Sequence, residues 1–80
     1  MTTKLYVHRL PISTTDAELQ RLFEGAGRVI NCDVVTDGTT RMSKAIGFVE
    51  MATEEEARKA IDQLNGKELV GRVIRVSAGS

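Results

Sequence analysis

Three apolar side chains fall at positions where a solvent-facing strand surface would normally carry polar groups. Residues 5–10 (LYVHRL) and 44–51 (KAIGFVEM) both show the period of two that is typical of a β-strand. In that pattern Tyr6, Ile46 and Phe48 lie on the face opposite the core. An exposed aromatic platform on a sheet is suited to stacking on unpaired nucleic-acid bases. The pattern therefore indicates a surface for single-stranded nucleic acid.

These strands belong to a regular succession of elements. Thr15 with Glu18, and Thr53 with Glu56, predict two capping boxes that each open a helix. Between and around them the sequence predicts strands over 4–10, 29–36, 43–51 and 73–77, with turns at 37–41 and 69–71. The order β-α-β-β-α-β predicts a single α+β domain over 1–80, a ferredoxin-like sandwich. Right-handed crossovers place both helices on one face of a four-stranded antiparallel sheet and leave the other face open.

The spacing and types of residues in the two strand segments resemble the two signature segments of the RNA recognition motif (RRM) family. The resemblance covers nearly the whole chain, and residues 47–51 and 69–76 look especially like compact single-RRM proteins of bacteria. The signature segments are degenerate: Ile46 stands where an aromatic residue is usual, Arg9 where Asn is usual, and Ala45 where Gly is usual.

The resemblance implies specific roles for the residues of the open face. Tyr6 and Phe48 would each stack on a base, and Ile46 would cover ribose without stacking. Lys44, the first residue of the longer segment, would pair with phosphate.

Other side chains of the predicted open face can add charge. Arg75 on the last strand is expected to reach base edges, and Arg41 in the loop between the second and third strands to clamp the backbone. His8 has two interpretations: it contacts a base or phosphate more strongly when protonated below about pH 6.5, or it is a solvated strand histidine, which we favour. Asp33 and Glu50 share the face, where they would repel phosphate or accept hydrogen bonds from base amino groups.

The charge of the chain is balanced overall but unevenly distributed. Among 80 residues, 11 Lys and Arg stand against 11 Asp and Glu, whereas nucleic-acid binders are more often basic. The predicted helices carry seven acidic and three basic residues, and the rest of the chain carries four acidic and eight basic ones. With the helices behind the sheet, the open face lies on the positive side. Acidic residues also favour helix N-termini for local reasons, so this distribution has a second explanation.

The same apolar surface permits a different function. Exposed apolar patches mark interfaces of several kinds, so a protein-binding or homodimerising domain that no longer binds RNA is the alternative. We favour single-stranded RNA as the partner, and the sequence leaves single-stranded DNA open because no contact to a 2′-hydroxyl can be located.

Several function classes receive no support from the sequence. One His and one Cys, on opposite faces by alternation, do not make a metal cluster. We therefore expect no catalytic residue, no metal and no cofactor, and hence no enzyme. We also expect no membrane partner, because no apolar run approaches the roughly 18 residues of a membrane span. The N-terminus leads straight into a strand, and a lone Cys32 suits a reducing compartment, so the sequence predicts a cytoplasmic protein without a signal peptide.

Overall fold

Two helices and six strands are present in the residues that the computed structural model describes, which are 3–11, 13–37 and 44–79. In chain order they are β1 (Lys4–Leu10), α1 (Asp16–Glu24), β2 (Val29–Asp37), β3 (Lys44–Met51), α2 (Glu54–Leu64), β4 (Glu68–Leu69), β5 (Arg72–Val73) and β6 (Arg75–Ala78). Four strands form one antiparallel sheet in the order β2-β3-β1-β6, and β4 pairs with β5 in a separate hairpin. The predicted α+β, ferredoxin-like arrangement is confirmed.

Both helices are capped at their N-termini by the predicted threonines. The Thr15 hydroxyl accepts a hydrogen bond from the Glu18 N–H at 3.2 Å and donates one to the Glu18 carboxylate at 3.3 Å. Thr53 and Glu56 repeat both bonds, at 3.1 and 3.0 Å. The glutamates thus close each cap through the threonine hydroxyl, not through the backbone N–H of the cap residue as the capping box predicts. Glu56 also accepts a hydrogen bond from the backbone N–H of Arg28, which ties the start of α2 to the turn before β2.

The core lies between the helices and one face of the sheet. Its buried apolar residues are Leu5, Val7, Leu10, Leu19, Phe23, Ala26, Ala45, Val49, Met51, Ala57, Ala60, Leu64, Ile74 and Val76. Packing is close at Gly47, where an added Cβ would lie 2.6 Å from Leu19 Cδ2 and 3.0 Å from Leu10 Cδ1. Ala45, which stands where the family usually has Gly, is completely buried in this core. The sheet can therefore approach α1 closely, and its opposite face stays outside the core.

A β-bulge interrupts the alternation of β1. The pairing of β1 with β3 matches Val7 with Gly47 and then Leu10 with Ala45, so β1 contains one extra residue. Arg9 takes a φ of +64° in this bulge, a left-handed conformation that costs a residue with a Cβ about 1–2 kcal/mol. The bulge leaves Arg9 exposed and returns Leu10 to the core. Strict alternation over the whole segment, as expected from the sequence, is therefore wrong at this one position.

The two edge strands of the sheet are each held by one side chain from a helix. On β2, the backbone N–H of Val34 donates to Asp16 Oδ1 at 2.8 Å. On β6, the backbone N–H of Val76 donates to Asn65 Oδ1 at 3.1 Å. Asp16 is the first residue of α1, and Asn65 follows the last residue of α2. A helix end therefore fixes the position of each edge strand.

The hairpin of β4 and β5 is the main element that the sequence patterns do not predict. Residues 70–71 form its tip, inside the turn predicted at 69–71, whereas Leu69 already pairs with Arg72 in the short strands. Val70 and Gly71 both have positive φ, +47° and +78°, as a two-residue type I′ loop requires. The last strand of the main sheet consequently begins at Arg75, two residues later than predicted.

Candidate nucleic-acid interface

A row of four side chains crosses the open face of the sheet from one edge to the other. Asp33 on β2 pairs with Phe48 on β3, and Phe48 pairs with Tyr6 on β1. Tyr6 in turn pairs with Ser77 on β6. All four residues are exposed, whereas the residues before and after Tyr6 and Phe48 are buried. The strand register therefore places a carboxylate, two aromatic rings and a hydroxyl side by side.

The two rings form the centre of this face. Tyr6 is 36% exposed and Phe48 40% exposed, so each ring offers surface to a ligand while remaining partly held by its neighbours. Their centroids are 5.2 Å apart and their planes are nearly perpendicular, at 89°. Ile46, half-buried, lies two residues from Phe48 on the same strand and pairs with the exposed Val35 of β2. Aromatic and aliphatic surface thus continues across β2, β3 and β1.

Basic side chains collect at the end of the face where β1 bulges. His8 pairs with Arg75 across β1 and β6, and both are exposed. An open groove of about 680 Å³ at this end is lined by His8, Arg9 and Arg72 among others. Arg72 is partly fixed there because its guanidinium donates a hydrogen bond to the backbone carbonyl of Leu10 at 3.4 Å. This end of the face has the groups that bind phosphate.

The other end of the face is rich in hydrogen-bond acceptors. Glu50 on β3 pairs with Asn31 on one side and with Lys4 on the other. The Asn31 side-chain amide donates to Glu50 Oε1 at 3.2 Å. A shallow groove of about 490 Å³ joins these residues to Asp33 and to the two aromatic rings. The open face therefore has a cationic end and an acceptor-rich end, with the rings between them.

The structure brings most of the predicted site residues together. The residues found on the open face as predicted are Tyr6, His8, Ile46, Phe48 and Arg75. Lys44 is described through its backbone, which pairs with Asp37, and Arg41 lies outside the described residues. Arg9 and Arg72 line the cationic groove although no role was predicted for them. Only the bulge exposes Arg9, and no alternation pattern in the sequence indicates a bulge.

Cys32 lies on the opposite side of β2 from Asp33. It is half-buried against the core, and its thiol donates to the backbone carbonyl of Asp16 at 3.5 Å. Burial, with the nearby charges of Asp16 and Asp33, raises the pKa of the Cys32 thiol from 9.0 to about 11. Among the described residues no group of three or more His, Cys, Asp and Glu side chains is placed to hold a metal ion.

Comparison with known proteins points to one family. The family model described as RNA recognition motif matches residues 5–75. The 29 kDa ribonucleoprotein B, chloroplastic, of Nicotiana sylvestris is 49% identical over 76 residues, which are 95% of this chain and 26% of that protein. Among solved structures, the Sxl-lethal protein/RNA complex superimposes with a TM-score of 0.88 at 32% identity, over 100% of this chain and 48% of that one. The Rna15 RRM with bound RNA gives a TM-score of 0.87 at 28% identity, over 100% and 85%.

These comparisons correct the prediction of a cytoplasmic location. That prediction is wrong, because the relative from Nicotiana sylvestris and further curated relatives are named as chloroplast proteins. The chain spans about a quarter of the length of these relatives. Within the described residues, neither helix is long and apolar enough to cross a membrane.

Proposed function

This chain belongs to the RNA recognition motif family, and we propose that its open sheet face binds single-stranded RNA by stacking bases on Tyr6 and Phe48. Ile46 covers a ribose between the stacked bases, since an aliphatic side chain can pack on a sugar but cannot stack. The observation that carries the proposal is the pair of partly exposed rings in direct register at the centre of the open face. Solved relatives with bound RNA support the choice of RNA as the ligand.

Phosphate groups are bound mainly at the cationic end of the face. Arg75 and His8 pair there, and Arg9 and Arg72 line the adjoining groove. Phosphate contacts by Arg41 and by the Lys44 side chain stay predictions from the sequence, because both lie outside the described part of the chain. Each neutralised phosphate releases counterions, so we expect RNA affinity to fall as salt rises.

The chain acts as a binding module and not as an enzyme. The matched family is described by what it recognises, and the curated relatives are named ribonucleoproteins or RNA-binding proteins. Both helices, the four strands of the main sheet and β4 contribute residues to one core or pack against it, which supports treating residues 1–80 as one domain. The relatives' names favour a chloroplast as the compartment in which it works.

Composition provides a direct test of this proposal. The chain has no Trp, and its one tyrosine is Tyr6, so tyrosine emission reports on the proposed stacking site alone. Random-sequence single-stranded RNA is titrated into the protein at low salt, with emission corrected for RNA absorbance, and the titration is repeated at higher salt. We expect saturable quenching that weakens with salt. A flat trace up to high micromolar RNA would contradict the proposal.

The same sample tests the alternative function, in which the open face binds another protein or a second copy of the chain. Sedimentation over a range of concentrations shows whether the domain associates with itself. Tyr6→Glu is the disrupting variant. A sedimentation size that rises with concentration in the wild type but not in Tyr6→Glu, together with a flat quenching trace, would assign the face to protein contact. Repeating the quenching titration with single-stranded DNA of matched sequence measures whether the face prefers RNA.

A further inference from the structure

Asp33 occupies a position from which it can select the base. It lies directly across from Phe48, and side chains of directly opposed residues in an antiparallel pair have Cβ atoms about 4.5–5.5 Å apart. A base stacked on Phe48 therefore has one edge within reach of the Asp33 carboxylate. We propose that Asp33 makes this position selective for a base with two adjacent donors on its Watson–Crick edge, which is guanine, and disfavours uracil. The inference rests on the proposed stacking of a base on Phe48.

The Asp33 carboxylate retains its acceptor capacity for a ligand. It is exposed and lines the groove that also contains both rings. Among the described residues, no hydrogen bond or ion pair occupies this carboxylate, whereas Glu50 accepts from Asn31. Glu50 also lies opposite Lys4, which moderates its charge. Of these two acidic groups on the face, Asp33 is therefore the better placed to accept hydrogen bonds from a base.

Base chemistry gives the direction of the preference. An ionised carboxylate only accepts hydrogen bonds, and it has two oxygens. Guanine presents N1–H and its 2-amino group side by side, so both oxygens are satisfied at once. Adenine and cytosine offer one amino group beside an acceptor nitrogen. Uracil offers one N–H between two carbonyl oxygens, which the carboxylate repels. The expected order of affinity is guanine first, adenine and cytosine next, and uracil last.

The neighbouring groups reinforce this order. The Asn31 side-chain amide donates one N–H to Glu50 and lines the same groove with its carbonyl oxygen and its second N–H. Ser77, whose hydroxyl can both donate and accept, lies at the far end of the row beside Tyr6. The base on Phe48 thus meets the carboxylate acceptors of Asp33 and Glu50, with Lys4 as a donor in the same groove. The base on Tyr6 meets a hydroxyl that suits either pattern. Selectivity is expected at one nucleotide of the bound segment and not throughout it.

The test uses fluorescein-labelled hexauridylates in which one internal position carries guanosine, inosine or uridine. Fluorescence anisotropy gives the dissociation constant of the whole chain for each RNA. A good bidentate contact to a base gives about tenfold or greater discrimination, so we expect guanosine at one position to bind about tenfold tighter than uridine. Inosine lacks the 2-amino group and should fall between the two.

Asp33→Asn is the matching protein variant, because the amide keeps the shape but has one acceptor oxygen and two donors. We expect it to reduce the guanosine-over-uridine ratio to about threefold or less and to remove the difference between guanosine and inosine. Glu24→Gln, on exposed α1 surface, removes the same unit of charge elsewhere and should keep the ratio unchanged. Circular dichroism of each variant checks that the fold is retained.

Three results would overturn the inference. Wild-type affinities within about twofold for all the hexamers would show that the face stacks bases without reading them, and the proposed function would stand. A guanosine preference that survives in Asp33→Asn would place the selection at another residue. Absence of binding to every hexamer would overturn the proposed function and this inference together.

Discussion

Tyr6 and Phe48 lie directly opposite each other on β1 and β3, with ring centroids 5.2 Å apart and ring planes at 89°. Two bases stacked on perpendicular rings are themselves steeply inclined to each other. A parallel stack on both rings requires one ring to turn. Edge-to-face pairs contribute about 0.5–1.5 kcal/mol beyond burial, so turning one ring costs a similar free energy. That cost is smaller than the free energy that two well-stacked bases contribute together. Ligand binding can therefore rearrange the pair.

Replacing Phe48 by alanine should weaken RNA binding about tenfold, because loss of a base-stacking aromatic costs roughly 1–3 kcal/mol. The fold should remain, since Phe48 is 40% exposed. Anisotropy with labelled RNA measures affinity, and circular dichroism checks folding. Val35→Ala, an apolar truncation on the same face, is the matched control and should have a small effect. An unfolded Phe48→Ala protein would show that this ring belongs to the core and would refute the stacking role.

Replacing Ile46 by phenylalanine should tighten RNA binding about three- to tenfold, because it adds a ring to the platform where the family usually has one. The gain comes from stacking and not from charge. The slope of log affinity against log salt should therefore stay the same as in the wild type. Titrations at four salt concentrations measure both quantities. Weaker binding by Ile46→Phe would mean that the half-buried site cannot admit a ring on the ligand side.

Replacing Arg9 by asparagine should stabilise the domain by about 0.5–1 kcal/mol, because Asn tolerates the left-handed conformation of the bulge better than Arg does. Arg9 has a φ of +64° and lies outside the core. Urea unfolding measures the gain. The same variant should bind RNA more weakly. The slope of log affinity against log salt should become less steep by the amount that about one phosphate contact contributes. A more stable variant with unchanged RNA affinity would remove Arg9 from the phosphate-binding end.

Replacing Val70 by asparagine should stabilise the domain by about 1 kcal/mol, because a β-branched residue at positive φ is strained and Asn-Gly is the preferred pair in this type of loop. Val70 is 86% exposed, so no packing is lost. Thermal and urea unfolding give the change in the free energy of unfolding. RNA affinity should not change, which distinguishes this variant from Arg9→Asn. A destabilised variant would show that Val70 makes a contact that outweighs its strain.

The Cys32 thiol should make stability depend on alkaline pH. Its pKa is raised to about 11 from 9.0, so the folded state holds this proton more tightly than the unfolded state does. The stabilising contribution is complete below pH 9 and is lost as pH rises towards about 11. Urea unfolding across this range, compared with Cys32→Ala, isolates the effect from other groups. Equal pH dependence in the two proteins would contradict it. The thiol should also react slowly with iodoacetamide at neutral pH.

Local sequence patterns predicted the elements of this fold and the central residues of the candidate site. Period-two alternation placed Tyr6 and Phe48 on the open face, and Thr15 marked the start of α1. The bulge and the register of β2, which depend on pairing between distant strands, were not predicted. The bulge at Arg9 exists only relative to β3, and the position of Asp33 beside Phe48 needs the register of β2. The stacking and phosphate-binding roles stay predictions.

The hydrogen bonds from Val34 to Asp16 and from Val76 to Asn65 have a consequence beyond positioning. An edge strand with free backbone N–H groups is a template on which another chain can add a strand, and repeated addition builds aggregates and fibrils. Here a helix side chain already occupies one such group on each edge of the sheet. This arrangement removes one donor on each edge from strand addition and so disfavours edge-to-edge polymerisation between copies of the domain.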